Sequence, residues 1–144
     1  LEKFMRYFKK FVKEGIYANE RNGFVASMFG ATGFLSFYIL HLLSKEPLCG
    51  EEIRNLVYKT TGKIWKPNPG FIYPVLKEMR KENLIKGEWN LEGKHPRRVY
   101  EITEKGKSQY EKIYKIVKIK FDDFRYITEK IQKEVFDERS NNSG

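Results

Sequence analysis

The sequence has few of the residues that build disulfide scaffolds, metal centres or nucleotide cradles. Of its 144 residues, one is a cysteine and two are histidines. A single cysteine cannot form an internal disulfide bond, which excludes a stapled secreted scaffold. Cys49, His41 and His95 are too few and too scattered to close a structural zinc site. The motifs G-x-G-x-x-G and G-x-x-x-x-G-K-[ST] of nucleotide-binding proteins are also absent. We therefore expect no metal and no cofactor.

The sequence also lacks a recognisable catalytic arrangement. No Ser/His/Asp or Cys/His set lies close together along the chain. The acidic pairs Glu51-Glu52 and Asp122-Asp123 fall at positions that suit exposed helix faces. We expect a protein that is not an enzyme.

The stretch over residues 23–44 carries no formal charge. A bilayer span needs about 20 predominantly apolar residues. This stretch is interrupted by Gly30 and Gly33, where a helix would break, and by several polar residues. We predict a loop followed by a buried core helix, and no stable membrane association.

Basic residues are in excess. Lysine and arginine number 28 against 19 aspartate and glutamate, for a formal net charge of +9. Such a surface favours polyanionic partners. The excess is spread along the chain, so charge alone does not locate an interface.

The region 34–103 has the most legible pattern. Pro47 ends a first helix. Asn68 is a candidate N-cap with Pro69 at the first helical position, a pair that predicts the start of another helix. Asn83 suits the left-handed conformation at the end of that helix. Helices are predicted over 34–44, 51–61 and 69–82, and strands over 85–90 and 97–103. Three short helices followed by a hairpin give the order of a winged helix-turn-helix domain. Trp65 and Trp89 are interpreted as core residues.

The two ends of the chain show helical apolar stripes. Residues 1–33 are predicted to hold an N-terminal helix and an irregular segment, and residues 104–136 one long helix with a heptad seam. We expect both to support a homodimer, and residues 137–144 to form a disordered tail. The candidate dimerisation residues are Phe4, Phe8, Phe11, Tyr110, Tyr114, Val117, Phe121, Phe124, Ile131 and Val135. The seam aromatics could instead line an effector pocket between subunits.

Three segments resemble the PadR family of transcriptional regulators. They are ILHLLSKEPLCGEEI, NPGFIYPVLKEMRKENLI and EGKHPRRVYEITEKGK. The resemblance covers about residues 33–108, and the Gly-x-x-Tyr-Pro-x-Leu and Pro-Arg-Arg-x-Tyr-x-x-Thr-x-x-Gly runs within it make it specific. It implies a mainly α-helical fold with a small β-hairpin, in the subgroup with one long C-terminal helix.

The resemblance also implies a function. In that family the third helix enters the major groove, the wing reaches the adjacent backbone or minor groove, and the C-terminal helices dimerise. It implies a cytoplasmic dimeric repressor that binds double-stranded DNA in a sequence-specific way. Some members bind aromatic or cationic small molecules between subunits and then release DNA, so such an effector could act here.

The candidate DNA-binding residues combine the resemblance with basic or polar side chains along the third helix and the wing. At the third helix and the loop before it they are Lys63, Lys66, Asn68, Gly70, Phe71, Tyr73, Lys77, Arg80 and Lys81; on the wing they are Lys94, His95, Arg97 and Arg98. Phosphate contacts of this kind give affinity that falls steeply with salt.

The sequence departs from the family pattern at three places. Cys49-Gly50-Glu51 stands where His-Gly-Tyr is common, Phe71 where a small hydroxyl residue is usual, and Asn83 where glycine is usual. A phenyl ring can only touch a thymine methyl group or pack, whereas a hydroxyl can bond a base or a phosphate. Base specificity therefore cannot be carried over from the family.

A second hypothesis belongs to another class. The chain could be a winged-helix dimer that acts as a protein- or membrane-interaction module, using the 23–44 stretch and the basic N-terminal helix. That hypothesis predicts partner or liposome binding without a preferred duplex.

Overall fold

The computed structural model describes residues 31–137 and residue 139. The elements are helix α1 (Ala31–Leu43), strand β1 (Leu48–Cys49), α2 (Gly50–Thr60), α3 (Pro69–Lys81), β2 (Ile85–Asn90), β3 (Arg97–Ile102) and α4 (Glu104–Gln132), which continues as a short π-helix (Lys133–Asp137). The fold is mainly α-helical with a small sheet, in the order of a winged helix, as the sequence predicts. The chain divides into two compact units, one ending at Tyr110 and the other beginning at Glu111.

The core of the first unit is built from one apolar face of each helix. Fully buried side chains include Leu35 and Ile39 of α1, Ile53 of α2, and Ile72 and Leu76 of α3. Leu35 and Ile39 are four residues apart, as are Ile72 and Leu76, which puts each pair on one side of its helix. This packing orients α3 so that its other side remains exposed.

Helix α1 begins earlier than the glycines suggest. The predicted helix starts at residue 34, whereas α1 starts at Ala31 and includes Gly33, which is buried. The expectation that Gly33 breaks the helix is therefore wrong, because a glycine inside a packed helix costs only about 1 kcal/mol relative to alanine. Near the other end of α1, His41 Nδ1 lies 2.7 Å from the hydroxyl oxygen of Tyr110.

The sheet has a third strand that the sequence analysis missed. Strand β1 pairs antiparallel with β3, which also pairs with β2, so the order is β1-β3-β2. Leu48 lies opposite Tyr100, and Ile85 lies opposite Ile102. Two residues are too few to show the alternation that marks a strand. The wing is the part of the β2–β3 hairpin that extends beyond β1.

Both ends of α3 are set by local chemistry. The side-chain oxygen of Asn68 accepts the backbone N–H of Phe71 at 2.9 Å, and Pro69 occupies the first helical position. At the other end, Asn83 has φ of 58°, and the N–H of Leu84 donates to the carbonyl of Met79 at 3.0 Å. The predicted N-cap and the predicted left-handed end are both confirmed.

Thr103 joins the end of β3 to the start of α4 and holds both against the residues that follow α3. Its hydroxyl oxygen lies 2.6 Å from the carbonyl oxygen of Asn83, and it accepts the N–H of Gly106 at 3.0 Å. Its own N–H donates to the carbonyl of Leu84 at 3.0 Å. A Cβ built on Gly106 would lie 2.1 Å from that same carbonyl oxygen. We call Asn83, Leu84, Thr103 and Gly106 the α4 latch.

Helix α4 carries the predicted seam. The α-helical part ends at Gln132, four residues before the predicted end, and the π-helix follows. Along the second unit Val117 is buried, Phe124 is half-buried, and Tyr114, Phe121, Ile131 and Val135 are exposed. Phe4, Phe8, Phe11 and the rest of the predicted N-terminal helix lie outside the described residues, as does most of the predicted 137–144 tail.

Within the described part of the chain, no helix combines the length and apolar character that a bilayer span requires.

Candidate nucleic-acid interface

The loop between α2 and α3 is fastened to α2 by a small charged network. Arg54 Nε donates to the carbonyl oxygen of Pro67 at 2.7 Å, and the Arg54 guanidinium also pairs with Glu51. Lys66 Nζ lies 3.3 Å from Glu51 Oε1. Slight burial acts to raise the pKa of Glu51, but its hydrogen bonds with Arg54 and Lys66 outweigh that effect and lower it. The network therefore fixes the backbone immediately before α3 and holds Lys66 beside an ionised carboxylate.

The same loop contains a tight left-handed turn. Gly62 and Lys63 have φ values of 65° and 63°. The hydroxyl of Thr61 closes the turn, because it lies 2.9 Å from the carbonyl oxygen of Val57 and accepts the N–H of Trp65. The turn leaves the Lys63 side chain exposed.

The outer side of α3 carries most of the predicted contact residues. Tyr73, Lys77 and Lys81 are exposed, whereas Arg80 is half-buried. Lys81 forms a surface ion pair with Glu78, with Nζ 3.5 Å from Oε1. A pair of this kind contributes little in water and can be given up to a phosphate.

Phe71 stands in the first turn of α3, where the family pattern has a hydroxyl. Its ring is half-buried and meets the Trp65 ring edge-on, with centroids 6.0 Å apart. This packing gives Phe71 a role within the loop and the first turn of α3. It accounts for an aromatic residue at that position without a base contact.

Tyr73 crosses from α3 to the start of α2. A Cβ built on Gly50 would lie 2.8 Å from Tyr73 Cε1 and 2.9 Å from its hydroxyl oxygen. Gly50 therefore leaves the space that the Tyr73 ring occupies. Tyr73 is nevertheless 45% exposed, so its hydroxyl remains available at the surface.

On the wing, Arg98 is held against the sheet. Its guanidinium carbon lies 4.9 Å from the centre of the Trp89 ring, directly across the strand pair. A Cβ on Gly87 would lie 2.9 Å from Arg98 Cδ, so the missing side chain at Gly87 gives the arginine stem its place. Arg97, the next residue, points to the other face by strand alternation and is exposed.

The interpretation of Trp89 as a core residue is wrong. Its side chain is 59% exposed. Alternation correctly places Trp89 on the same face of the sheet as Ile85. That face extends past the helices, and alternation predicts which face a side chain is on but not whether other residues cover it. Trp65 is half-buried.

These elements enclose an open cleft of about 620 Å³. We call it the wing cleft; its lining includes Gly50, Glu51, Asn55, Tyr73, Trp89, Arg97, Arg98 and Tyr100. Burial raises the pKa of Tyr100, against the opposing influence of Arg98; Tyr73 also raises it, and Arg80 lowers it. Tyr73, Arg80 and Arg98 thus all act electrostatically on the Tyr100 hydroxyl group.

The predicted contact residues fall into two sets. Tyr73, Arg97 and Arg98 line the wing cleft, and Lys66 pairs with Glu51 in its wall. The others do not line it: Lys63, Asn68, Gly70, Lys77, Lys81, Lys94 and His95 are exposed, and Phe71 and Arg80 are half-buried. The sequence analysis missed Trp89, Glu51 and Gly87 as parts of this surface. Among the described residues, no group of histidine, cysteine, aspartate and glutamate side chains could hold a metal ion.

The chain is similar to proteins described as transcriptional regulators. The family model described as transcriptional regulator PadR-like matches residues 39–112. A Thermoplasma acidophilum protein described as a transcriptional regulator superposes with a TM-score of 0.61 at 27% identity, over 68% of this chain and 93% of that one. Bacillus subtilis PadR, solved in complex with operator DNA, superposes with a TM-score of 0.50 at 30% identity, over 54% of this chain and 45% of that one. No curated protein matches the chain.

The family match spans half of the chain and runs from the C-terminal end of α1 through the rest of the winged helix to the start of α4. The elements and motifs described above agree with it. The chain therefore belongs to the PadR-like family of transcriptional regulators, and its members are regulators of transcription and not enzymes.

Proposed function

We propose that this protein is a sequence-specific DNA-binding repressor that acts as a homodimer. One observation carries the proposal: exposed basic side chains occur on the α2–α3 loop, on α3 and on the wing of a fold that also occurs in a relative solved with operator DNA. In helix-turn-helix proteins the corresponding helix lies in the major groove. We assign the position in the major groove to α3, and we assign contacts with the DNA backbone to the wing.

The proposed contacts divide by chemistry. Lys63, Lys77, Lys81, Lys94 and Arg97 are exposed cations suited to phosphate oxygens. Lys77 and Lys81 are the exposed side chains of α3 that could also contact a guanine, since Phe71 packs on Trp65 and Arg80 is half-buried. We infer that contacts with the phosphate backbone of the DNA supply most of the affinity.

The proposed dimer uses α4. Ile131 and Val135 are exposed apolar residues on the seam, and a seam of this length suits a second copy. A two-fold dimer would bind two half-sites about one helical turn, ~34 Å, apart. Any small-molecule effector that acts between subunits would act through this helix.

The test is fluorescence anisotropy with duplex from the upstream region of the protein's own gene. We expect tighter binding to this duplex than to a scrambled one, with affinity falling steeply between ~50 mM and ~200 mM salt. Arg97→Gln should reduce the salt slope by about one unit. Lys112→Gln, which removes the same charge from an exposed site on α4, should leave the slope unchanged.

Two results would count against the proposal. Equal, weak binding to both duplexes would remove sequence specificity. Binding to anionic liposomes that survives replacement of both Arg97 and Arg98 by Glu, together with no preferred duplex, would favour the interaction-module alternative.

A further inference from the structure

The wing cleft has the size and the walls of a small-molecule site. Its volume of about 620 Å³ lies within the ~300–1,000 Å³ range of ligand pockets. Three aromatic side chains line it: Tyr73 from α3, Trp89 from β2 and Tyr100 from β3. Rings of this kind favour a planar ring that can lie against them.

Arg98 also contributes its guanidinium side chain to the lining of the cleft. Arg98 Nε is buried and has no hydrogen-bond partner among the described residues. Its guanidinium is held over Trp89, and its stem lies on Gly87, so the group is oriented before any ligand arrives. A buried donor without a partner costs stability. The planar fork of arginine suits the oxygens of a phosphate.

The acidic residues of the cleft are already engaged. Glu51 pairs with Arg54 and Lys66, and Glu52 Oε1 accepts the backbone N–H of Cys49 at 3.2 Å. Arg54 and Lys66 offset the charge of Glu51, and the Cys49 N–H occupies one oxygen of Glu52. Of the Arg98 donors, Nε has no hydrogen-bond partner among the described residues, whereas the guanidinium also forms a hydrogen bond that acts to lower the pKa of Tyr100.

We propose that the wing cleft binds a small ligand that combines a planar ring with a phosphate group, as a mononucleotide does. Arg98 takes the phosphate, and the ring lies against the aromatic wall. Because Tyr73, Arg97 and Arg98 also belong to the proposed DNA interface, an occupied cleft excludes DNA directly; this consequence rests on the proposed function, whereas ligand binding itself does not.

The test follows the indole N–H resonances of the two tryptophans by nuclear magnetic resonance. Adenosine monophosphate is titrated into the full chain, with adenosine and inorganic phosphate as controls that lack the phosphate or the ring. We expect the Trp89 signal to move with a saturable Kd that is lower than for either control, while the Trp65 signal stays in place. No movement of Trp89 up to roughly 10 mM, ten times a ~1 mM Kd, would overturn the proposal. Equal responses to adenosine and adenosine monophosphate would also overturn it.

Two substitutions that remove one positive charge each separate the cleft from general charge. Arg98→Met should raise the Kd about tenfold or more, the effect of losing a charge-assisted hydrogen bond. Lys86→Met, on the opposite face of the same hairpin, should leave the Kd unchanged. If Arg98→Met does not fold, Arg98→Lys, which keeps the charge and loses the fork, must raise the Kd. An unchanged Kd in the folded Arg98 variant overturns the proposal.

A competition experiment links the cleft to DNA. At matched ionic strength, adenosine monophosphate should weaken duplex binding by the wild-type protein, and inorganic phosphate should not. If the Trp89 signal moves and no duplex binds, the cleft proposal stands and the DNA proposal fails. If duplex binds and the Trp89 signal does not move, the reverse holds.

Discussion

The packing of the α4 latch predicts that adding a side chain at Gly106 is destabilising, whereas helix propensity alone predicts the opposite. Gly106 lies in the first turn of α4, where alanine is ordinarily better than glycine by about 1 kcal/mol. A Cβ at Gly106 would lie 2.1 Å from the carbonyl oxygen of Leu84. Ordinary carbon–oxygen contacts begin near 3.3 Å, so the two segments must separate by about 1 Å.

The structure sets the size of the effect. The separation would strain or break the bond from the Thr103 N–H to the Leu84 carbonyl, which is 3.0 Å long. Loss of one such bond costs about 1 kcal/mol, and overpacking adds about 2 kcal/mol. After subtracting the propensity gain of about 1 kcal/mol, Gly106→Ala should lower the free energy of unfolding by about 2 kcal/mol. For a chain of this length the Tm should fall on the order of 8 °C.

The assay is thermal and urea unfolding followed by far-UV circular dichroism. Ser108→Ala is the matched control, since Ser108 is exposed one half-turn further along α4. It should be neutral or raise stability by a few tenths of a kcal/mol. If Gly106→Ala raises the Tm as much as the control does, the reasoning about the latch is refuted.

Two further predictions concern the first unit. Burial holds the pKa of His41 below its usual 6.5, so the neutral imidazole beside Tyr110 stabilises the fold above pH ~6.5 and this contribution is lost as the pH falls. The free energy of unfolding, measured in urea at each pH, should decline less between about pH 7.5 and 5.5 in His41→Gln than in wild type. Asn68→Ala should lower the free energy of unfolding by about 1 kcal/mol because the cap on the Phe71 N–H is lost, while Asn68→Ser keeps it; equal stability of the two variants in urea would contradict this.

Signals that act over a few residues predicted the fold well. The Asn68–Pro69 pair marks the first turn of α3, and Asn83 marks its end, because each acts on backbone groups within its own turn. The strands over 85–90 and 97–102 follow from alternation in the same way. Strand β1 was missed because Leu48 and Cys49 form a strand only through pairing with distant β3.

The candidate site was predicted less completely, because its parts meet only in three dimensions. The basic residues of α3 and the wing could be picked out by type and position. The network of Glu51, Arg54 and Lys66 joins residues up to 15 positions apart, and its geometry is set by the helix packing. Trp89 shows the same limit, because the burial of a strand residue depends on whether other elements pack over that face of the sheet.

The α4 latch also bears on the order in which the chain folds. A long helix is costly to nucleate, because the first turn fixes several residues for one hydrogen bond. In this chain the first turn of α4 is held by Thr103, whose hydroxyl reaches Asn83 across 20 residues of sequence. Pairing of β2 with β3 in register, with Ile85 opposite Ile102, brings Asn83 and Thr103 together and so favours that bond. We therefore expect the hairpin to form before α4, and substitutions that slow strand pairing to delay formation of the first turns of α4.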